Sequence, residues 1–364
     1  MKRGLYLSVF LMPILSACSQ GGFEQAAQSS TAAKANIGYV PIVTEGSVVV
    51  IDTAGNRIVE QIPNVVARPT ILRALPDRSK IYVLNYALTP PYEVGVISTA
   101  TDTVIKKIPV SGVTTFSFQL SPDGSLLYVP SMPTDPTISL VDVIDTATDT
   151  VIRSLQVPSG IGGIEVSPDG SALYLVFSDG TAGAYDPATG QELRPPISGG
   201  GTFPVWTNIS ADGSKLYTIN LDDSIGVIDV HSWTLSKTIP TGAGSSPVAG
   251  TVTPDGRQLY ISNLSAHNLL VIDTQTDAVL RTIDTGDAPD VIVFPPDGRR
   301  GYVSTLGGAS PLFLPHAGIP VFLALLFAAP SLVPSDIVTY DTSTDQVIGD
   351  PIVTGSVAGI GVFF

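Results

Sequence analysis

The chain has a single cysteine, Cys18, so no intramolecular disulfide can form. A cysteine-based zinc site and C-x-x-C-H haem attachment are excluded for the same reason. Histidine is nearly as scarce. His231, His267 and His316 are far apart and show no H-x-x-x-H spacing, which argues against a histidine metal site. Basic residues are few: 18 Lys+Arg stand against 32 Asp+Glu, a formal net charge of −14. That balance argues against nucleic acid as a partner and against broad electrostatic docking on anionic lipid. No run of Lys or Arg marks a local basic patch. Sustained 3.6-residue periodicity is missing after the first residues, so helices are not expected. No G-x-S-x-G elbow, P-loop or strand-to-helix G-x-G-x-x-G occurs, and no cofactor or metal is expected.

What is present is repetition. The arm Val49-Val50-Ile51-Asp52-Thr53 returns as Val94-Gly95-Val96-Ile97-Ser98, Val141-Asp142-Val143-Ile144-Asp145, Gly183-Ala184-Tyr185-Asp186, Gly226-Val227-Ile228-Asp229, Leu270-Val271-Ile272-Asp273 and Val338-Thr339-Tyr340-Asp341. Positions 52, 98, 145, 186, 229 and 273 are 41–47 residues apart, the period of a four-stranded propeller blade. The step to Asp341 is about 24 residues longer, so that blade carries an insertion. The fold class is therefore all-β, a seven-bladed β-propeller of four-stranded blades.

Each unit reads as four strands. A short apolar strand runs into a Pro-Asp-Gly turn, as in Glu165-Val166-Ser167-Pro168-Asp169-Gly170. Proline presets the turn and glycine supplies the positive φ. A strand with an aromatic follows, as in Leu126-Leu127-Tyr128-Val129, then the Val-Ile-Asp arm, then a strand such as Thr103 to Ile108. Asp-Thr-x-Thr-Asp, as at 145–149, joins the last two; its side chains are suited to bonding nearby backbone N–H groups, so it reads as a turn rather than a Ca²⁺ site. Six turns of the Pro-Asp type (Asp77, Asp123, Asp169, Asp212, Asp255, Asp297) stand against seven arms. The last blade is therefore expected to take its innermost strand from Val362-Phe363-Phe364 and three strands from the N-terminal side, starting at Ile37. Such closure removes open sheet edges.

Tyr82-Val83-Leu84-Asn85, Tyr217-Thr218-Ile219-Asn220 and Tyr260-Ile261-Ser262-Asn263 resemble the tetrad of the YVTN family of β-propeller repeats, with degraded copies at Tyr128 and Tyr302. The resemblance spans about residues 37–364. It implies a propeller; some propellers with similar repeats resemble lactonases or lyases that act at the axial funnel with a divalent ion.

The N-terminus reads as an address. Lys2 and Arg3 precede the apolar stretch Leu5 to Ile14, too short to span a bilayer. Leu15-Ser16-Ala17-Cys18 resembles the lipobox of bacterial lipoproteins, which implies cleavage before Cys18, a lipid on its thiol and an acylated amino terminus. By that resemblance, residues 1–17 are expected to be a lipoprotein signal peptide, 18–36 the acylated Cys18 with a polar tether, and 37–364 the propeller with an apolar insertion at 307–336. Ser19, where many inner-membrane lipoproteins carry Asp, favours the outer membrane by that resemblance.

The loops into the first strand and between the second and third strands open on one face. They are expected to hold Arg68, Thr115, Phe203, Trp206, Asp287 and Asp290. Arg68, Trp206, Asn208, Asp287 and Asp290 are the candidate ligand-binding residues, since an axial funnel is a natural pocket. Within the insertion, Phe313, Phe322, Leu325, Leu326 and Phe327 are candidate contacts for a partner or lipid; a lid packed on the propeller is the other reading. The function expected is a monomeric, lipid-anchored, non-catalytic binding or scaffold propeller of the cell envelope, with an envelope protein or small ligand as partner. An axial-funnel enzyme is the alternative. Replacing Cys18 with Ala should release the protein from the membrane fraction or leave it unprocessed. Processing and membrane retention of Cys18→Ala, with acyl label still incorporated, would sink the anchor.

Overall fold

The computed structural model describes residues 36–135, 137–306 and 335–364. Residues 1–35, on which the expected signal peptide, Cys18 and most of the expected tether fall, lie outside the described residues, as do His316 and the candidates Phe313, Phe322, Leu325, Leu326 and Phe327.

Regular structure among the described residues is all strand, in seven antiparallel sheets arranged as the blades of a ring. Blades 1–6 span 69–109, 113–158, 161–198, 204–240, 247–284 and 288–353, and blade 7 joins 37–62 to 362–363. Within each blade the strands follow one another outward from the axis. The second strand of every blade carries a tyrosine (Tyr82, Tyr128, Tyr174, Tyr217, Tyr260, Tyr302, Tyr39), and all seven are buried. The arm of blade 6 is the strand Ser335–Asp341, so Ser335 and Asp336 belong to the ladder, paired with Leu306 and Thr305, rather than to the insertion. Blades 1–5 and 7 carry a register shift between the third and outermost strands, which leaves residues such as Ile105 and Ile152 exposed and blunts the outer edges against further pairing.

Both turn families behave as their chemistry dictates. In the Pro-Asp-Gly turns the aspartate accepts from residues on both sides: Asp123 Oδ1 takes the Ser125 N–H at 3.0 Å and the Ser121 hydroxyl at 2.6 Å. These bonds hold the Asp123 carboxyl down at about 2. Gly124 has φ +73°, and a Cβ there would lie 2.5 Å from Pro76 Cδ of the neighbouring turn, so conformation and contact both demand glycine. In the Asp-Thr-x-Thr-Asp turns the first aspartate caps the turn, as Asp145 does for Thr148 N at 2.8 Å.

The second aspartate of that motif does more. It occupies a left-handed position in the turn (φ 50° at Asp102, 54° at Asp149, 55° at Asp277) that aims its carboxylate at the neighbouring blade. Tyr39 donates to Asp102 at 2.6 Å, Tyr82 to Asp149 at 2.6 Å and Tyr217 to Asp277 at 3.1 Å. Lys80 and Lys215 reinforce two of these seams, at 2.7 and 2.9 Å from the same carboxylates. Arg281 bridges Tyr260 and Asp345 at the next.

Ring closure follows the turn-versus-arm mismatch. Phe363 pairs with Gly38 and Val362 with Tyr39. The approach to that strand is bonded on both sides: Gly359 N donates to Pro41 O, Ile360 N to Thr70 O, and Leu72 N to Ile360 O, all at 2.8–2.9 Å. Phe363 lies 5% exposed and stacks on Tyr302 of blade 6 with ring centroids 4.0 Å apart. Phe363→Ala should cost about 3–5 kcal/mol, as for other buried aromatics, and deletion of 359–364 should cost more. Urea unfolding checks this, and an unchanged midpoint for the deletion would refute closure by this segment.

Candidate functional site

Aligning the repeats on the aspartate of the Pro-Asp-type turns places the axis in columns. Seven residues before it stand Thr70, Phe116, Gly162, Val205, Val248 and Asp290; six before it stand Ile71, Ser117, Gly163, Trp206, Ala249 and Val291. Most of these residues, with Val43 and 357–360 from the closing segment, line an axial cavity of about 800 Å³ measured to its open mouth. Its wall is aliphatic and aromatic, and among the described residues its one ionisable side chain is Asp290. Trp206 is 6% exposed and fixed by its Nε1–H, which donates to Gly250 O of the next blade at 2.9 Å. It therefore packs between blades and walls the cavity at once. Asp290 is partly buried, and no hydrogen bond or ion pair reaches its carboxyl among the described residues. Burial without compensation pushes it up to about 7, so near neutral pH it is part acid and part carboxylate.

Four residues before the same aspartate stand Arg73, Gln119, Glu165, Asn208, Thr251 and Val293, each paired across to the blade's tyrosine. This column is polar in five blades and lies deeper on the axis, toward the turns. Arg73 Nε donates to Gln119 Oε1 at 3.1 Å, and Gln119 Nε2 donates to Glu165 Oε2 at 3.1 Å, linking three blades. Burial raises Glu165 to about 8 despite the opposing pull of Arg73, and burial lowers Arg73. The Asn208 Oδ1 is buried without a partner.

The sequence placed Trp206 and Asp290 in loops; both belong to innermost strands, Pro204–Ile209 and Ala288–Val293. The strands extend to the mouth because the loops before them are short, and small or β-branched residues around the axis leave room for their side chains. Of the five nominated ligand-binding residues, the fold brings Trp206 and Asp290 together at the cavity. Asn208 lies deeper, in the polar column. Arg68 lies outside the lining, beside Tyr86, which stacks on the cavity residue Phe116 at 4.2 Å. Asp287 is exposed, and its charge helps raise Asp336 after burial has done so. Phe203 is 63% exposed, and Thr115 is buried. Sequence reasoning missed Arg73, Gln119 and Glu165.

No family model and no curated protein matches the chain. Solved structures do. A functionally unknown protein from Desulfotomaculum acetoxidans DSM 771 superposes with TM-score 0.71 at 16% identity, over 90% of this chain and 98% of that one. Kuenenia stuttgartiensis hydrazine synthase gives 0.62 at 19% identity, over 76% and 95%. The dihydro-heme d1 dehydrogenase NirN in complex with DHE gives 0.62 at 14% identity, over 90% and 76%. At these identities the likeness is one of fold.

The pH dependence of stability follows from Asp290. The unfolded carboxyl ionises near pH 4 and the folded one near 7, so the folded state holds more protons between them. Stability therefore falls as pH rises through that window and levels off above it. Because the side chain keeps some access to water, Asp290→Asn should gain only about 1–3 kcal/mol at pH 8 and should flatten the profile from 4 to 7. A profile identical to the wild type would place the titrating group elsewhere, with Glu165→Gln the next variant to measure.

Proposed function

We propose that the protein is a lipid-anchored binding propeller of the cell envelope, of the YVTN type, that takes a small, largely apolar ligand bearing one polar or cationic group at its axial mouth. The observation that carries this is the axial cavity itself. Its apolar wall comes from blades 1, 2, 4 and 5, Val43 of blade 7 and the closing segment, around the single carboxyl that blade 6 supplies. Such a pocket binds by burying apolar surface and orients its ligand by one polar contact. A lone carboxyl near its midpoint of ionisation favours an amine or hydroxyl: ionised, it pairs with an ammonium group; protonated, it donates a hydrogen bond.

The reading is non-catalytic because one carboxyl with no second acid, base or nucleophile beside it among the described residues offers binding rather than bond-breaking chemistry. No group of three or more His, Cys, Asp or Glu gathers into a metal-binding set among the described residues. The lipobox-like junction at Cys18 supports the anchor, and the recurring Tyr-x-x-Asn tetrads support the repeat type. The names of hydrazine synthase and NirN assign no chemistry to this chain, since the likeness is of fold alone.

Trp206 makes the cavity its own reporter. In a Trp233→Phe background it is the one remaining tryptophan. Titration with n-octanol and n-octylamine should change its emission saturably. Octylamine affinity should rise from pH 6 to pH 8 as Asp290 ionises, and that rise should vanish in Asp290→Asn. Ala249→Leu, which fills the cavity, should abolish both responses. Emission indifferent to both probes at saturation would overturn the axial-pocket reading.

A further inference from the structure

A second cavity, on the turn face at the seam of blades 6, 7 and 1, gathers the repeat's departures from its own pattern. It measures about 930 Å³ to its open mouth and is lined by Arg78, Arg299, Arg300, Asp297, Tyr302 and Phe364, among others. Asn36, where the described chain begins, lines it too. The cavity exists because blade 7 has no Pro-Asp-Gly turn: its first and second strands come from opposite parts of the sequence.

Three substitutions in the repeat converge there, and each adds positive charge or removes negative charge. Arg78 stands where the other turns have Gly124, Gly170, Gly213, Gly256 and Gly298, and like them it is left-handed, at φ 60°. Its guanidinium lies 5.2 Å above the Phe364 ring. Arg299 follows the turn glycine of blade 6, where blades 1–4 have Ser79, Ser125, Ser171 and Ser214. The Asp297 carboxylate accepts the backbone N–H of Arg299 at 3.1 Å, and its guanidinium forms no ion pair among the described residues.

Arg300 supplies the decisive comparison. It occupies the place of Lys80 and Lys215, each of which bonds a turn threonine carbonyl of a nearby blade and pairs with that turn's second aspartate. Arg300 Nη1 makes the carbonyl bond, to Thr53 O at 2.6 Å. The aspartate is replaced by Asn56, whose side chain bonds Asp350 O and Thr339 instead. Of the three seams where a lysine or arginine stands three residues after the turn aspartate, this is the one that lacks the repeat's counter-charge.

We propose that this cavity is an anion site in which Arg78, Arg299 and Arg300 bind a phosphate group, free or esterified. One guanidinium fork satisfies a carboxylate, with two oxygens in one plane. Three guanidinium groups from two turns suit an anion with oxygens on several sides, which a phosphate supplies. Tyr302, Phe364 and the prolines Pro295 and Pro296 offer an apolar floor for an organic substituent. In a chain of net charge −14 the three arginines are scattered in sequence, and only the fold assembles them. The overall charge balance thus hides a local basic site.

The site is separate from the axial cavity, so its fate and that of the proposed ligand pocket are decided by different probes. The test uses the full chain carrying Cys18→Ala, titrated calorimetrically with inorganic phosphate and with dihexanoyl phosphatidylglycerol below its micelle concentration. Acetate and dihexanoyl phosphatidylcholine are the controls. At least one phosphate probe should bind saturably, with acetate weaker by about tenfold or more and affinity falling as salt is added. Binding of phosphatidylglycerol but not inorganic phosphate identifies a lipid headgroup as the source; binding of inorganic phosphate identifies a free ion. Asn56→Asp, which restores the repeat's acid beside Arg300, should weaken binding by about tenfold in protein that circular dichroism shows to be folded, the lost bond to Asp350 O lowering only the melting temperature. The double variant Arg299→Gln/Arg300→Gln should do the same or more, and Arg78→Gly restores the turn glycine as a third check. No saturation by either phosphate probe, equal affinity for acetate, or undiminished binding in both Asn56→Asp and the double variant would overturn the proposal.

Discussion

The seams of the ring depend on the buried tyrosine of each second strand, whose hydroxyl at three of them donates to an aspartate in a neighbouring turn. The tyrosine fills the space between two sheets, and its hydroxyl must find an acceptor there or leave an uncompensated polar group. The acceptor is available only because the turn bends through a left-handed residue that points a short carboxylate sideways. Burial first, then the aspartate, raises the pKa of Tyr39, Tyr82 and Tyr217 well above the ordinary phenol range. These phenols therefore stay protonated and donate across the physiological pH range. Where the aspartate is replaced, the seam is remade: Trp233 takes the position in blade 4 and stacks on Tyr174 at 5.9 Å. At the closing seam the chain substitutes Asn56 and packs Tyr302 against Phe363.

The axis obeys a different rule. Seven innermost strands converge, so one residue per blade at each level decides what the channel is made of. At the mouth the level is aliphatic and aromatic with one carboxyl. Deeper, it is a chain of amide and charge from Arg73 through Gln119 to Glu165. That chain contributes little net stability, because desolvation offsets attraction and Glu165, raised to about 8, is largely protonated near neutral pH. It does tie blades 1, 2 and 3 together at the axis through two specific hydrogen bonds.

The architecture was legible because a repeat shows itself several times. Val-Ile-Asp arms counted the blades, and six turns against seven arms located the closure. Trp206 and Asp290 were legible as candidates because a tryptophan and a lone acid are conspicuous in apolar strands, although they were assigned to loops. Arg73, Gln119 and Glu165 were not, since a polar residue alternating with apolar ones reads as the wet face of a strand. At the innermost strand both faces are dry, and alternation loses that meaning. The signal lay in the columns: four residues before each turn aspartate, polar residues recur in five blades. Arg300 and Asn56 were hidden for the opposite reason, because their meaning is a missing partner, visible only once the other seams are known.

Closure by the segment 357–364 has a consequence for the order of events in biogenesis. Phe363 pairs with Gly38, which leaves the ribosome when most of the chain has yet to be made. Until residue 363 is available, the sheet of residues 37–62 presents an unpaired inner edge, and such edges recruit strands from other chains. Contacts this distant in sequence also form slowly. The ring can therefore complete only after residue 363 has been made.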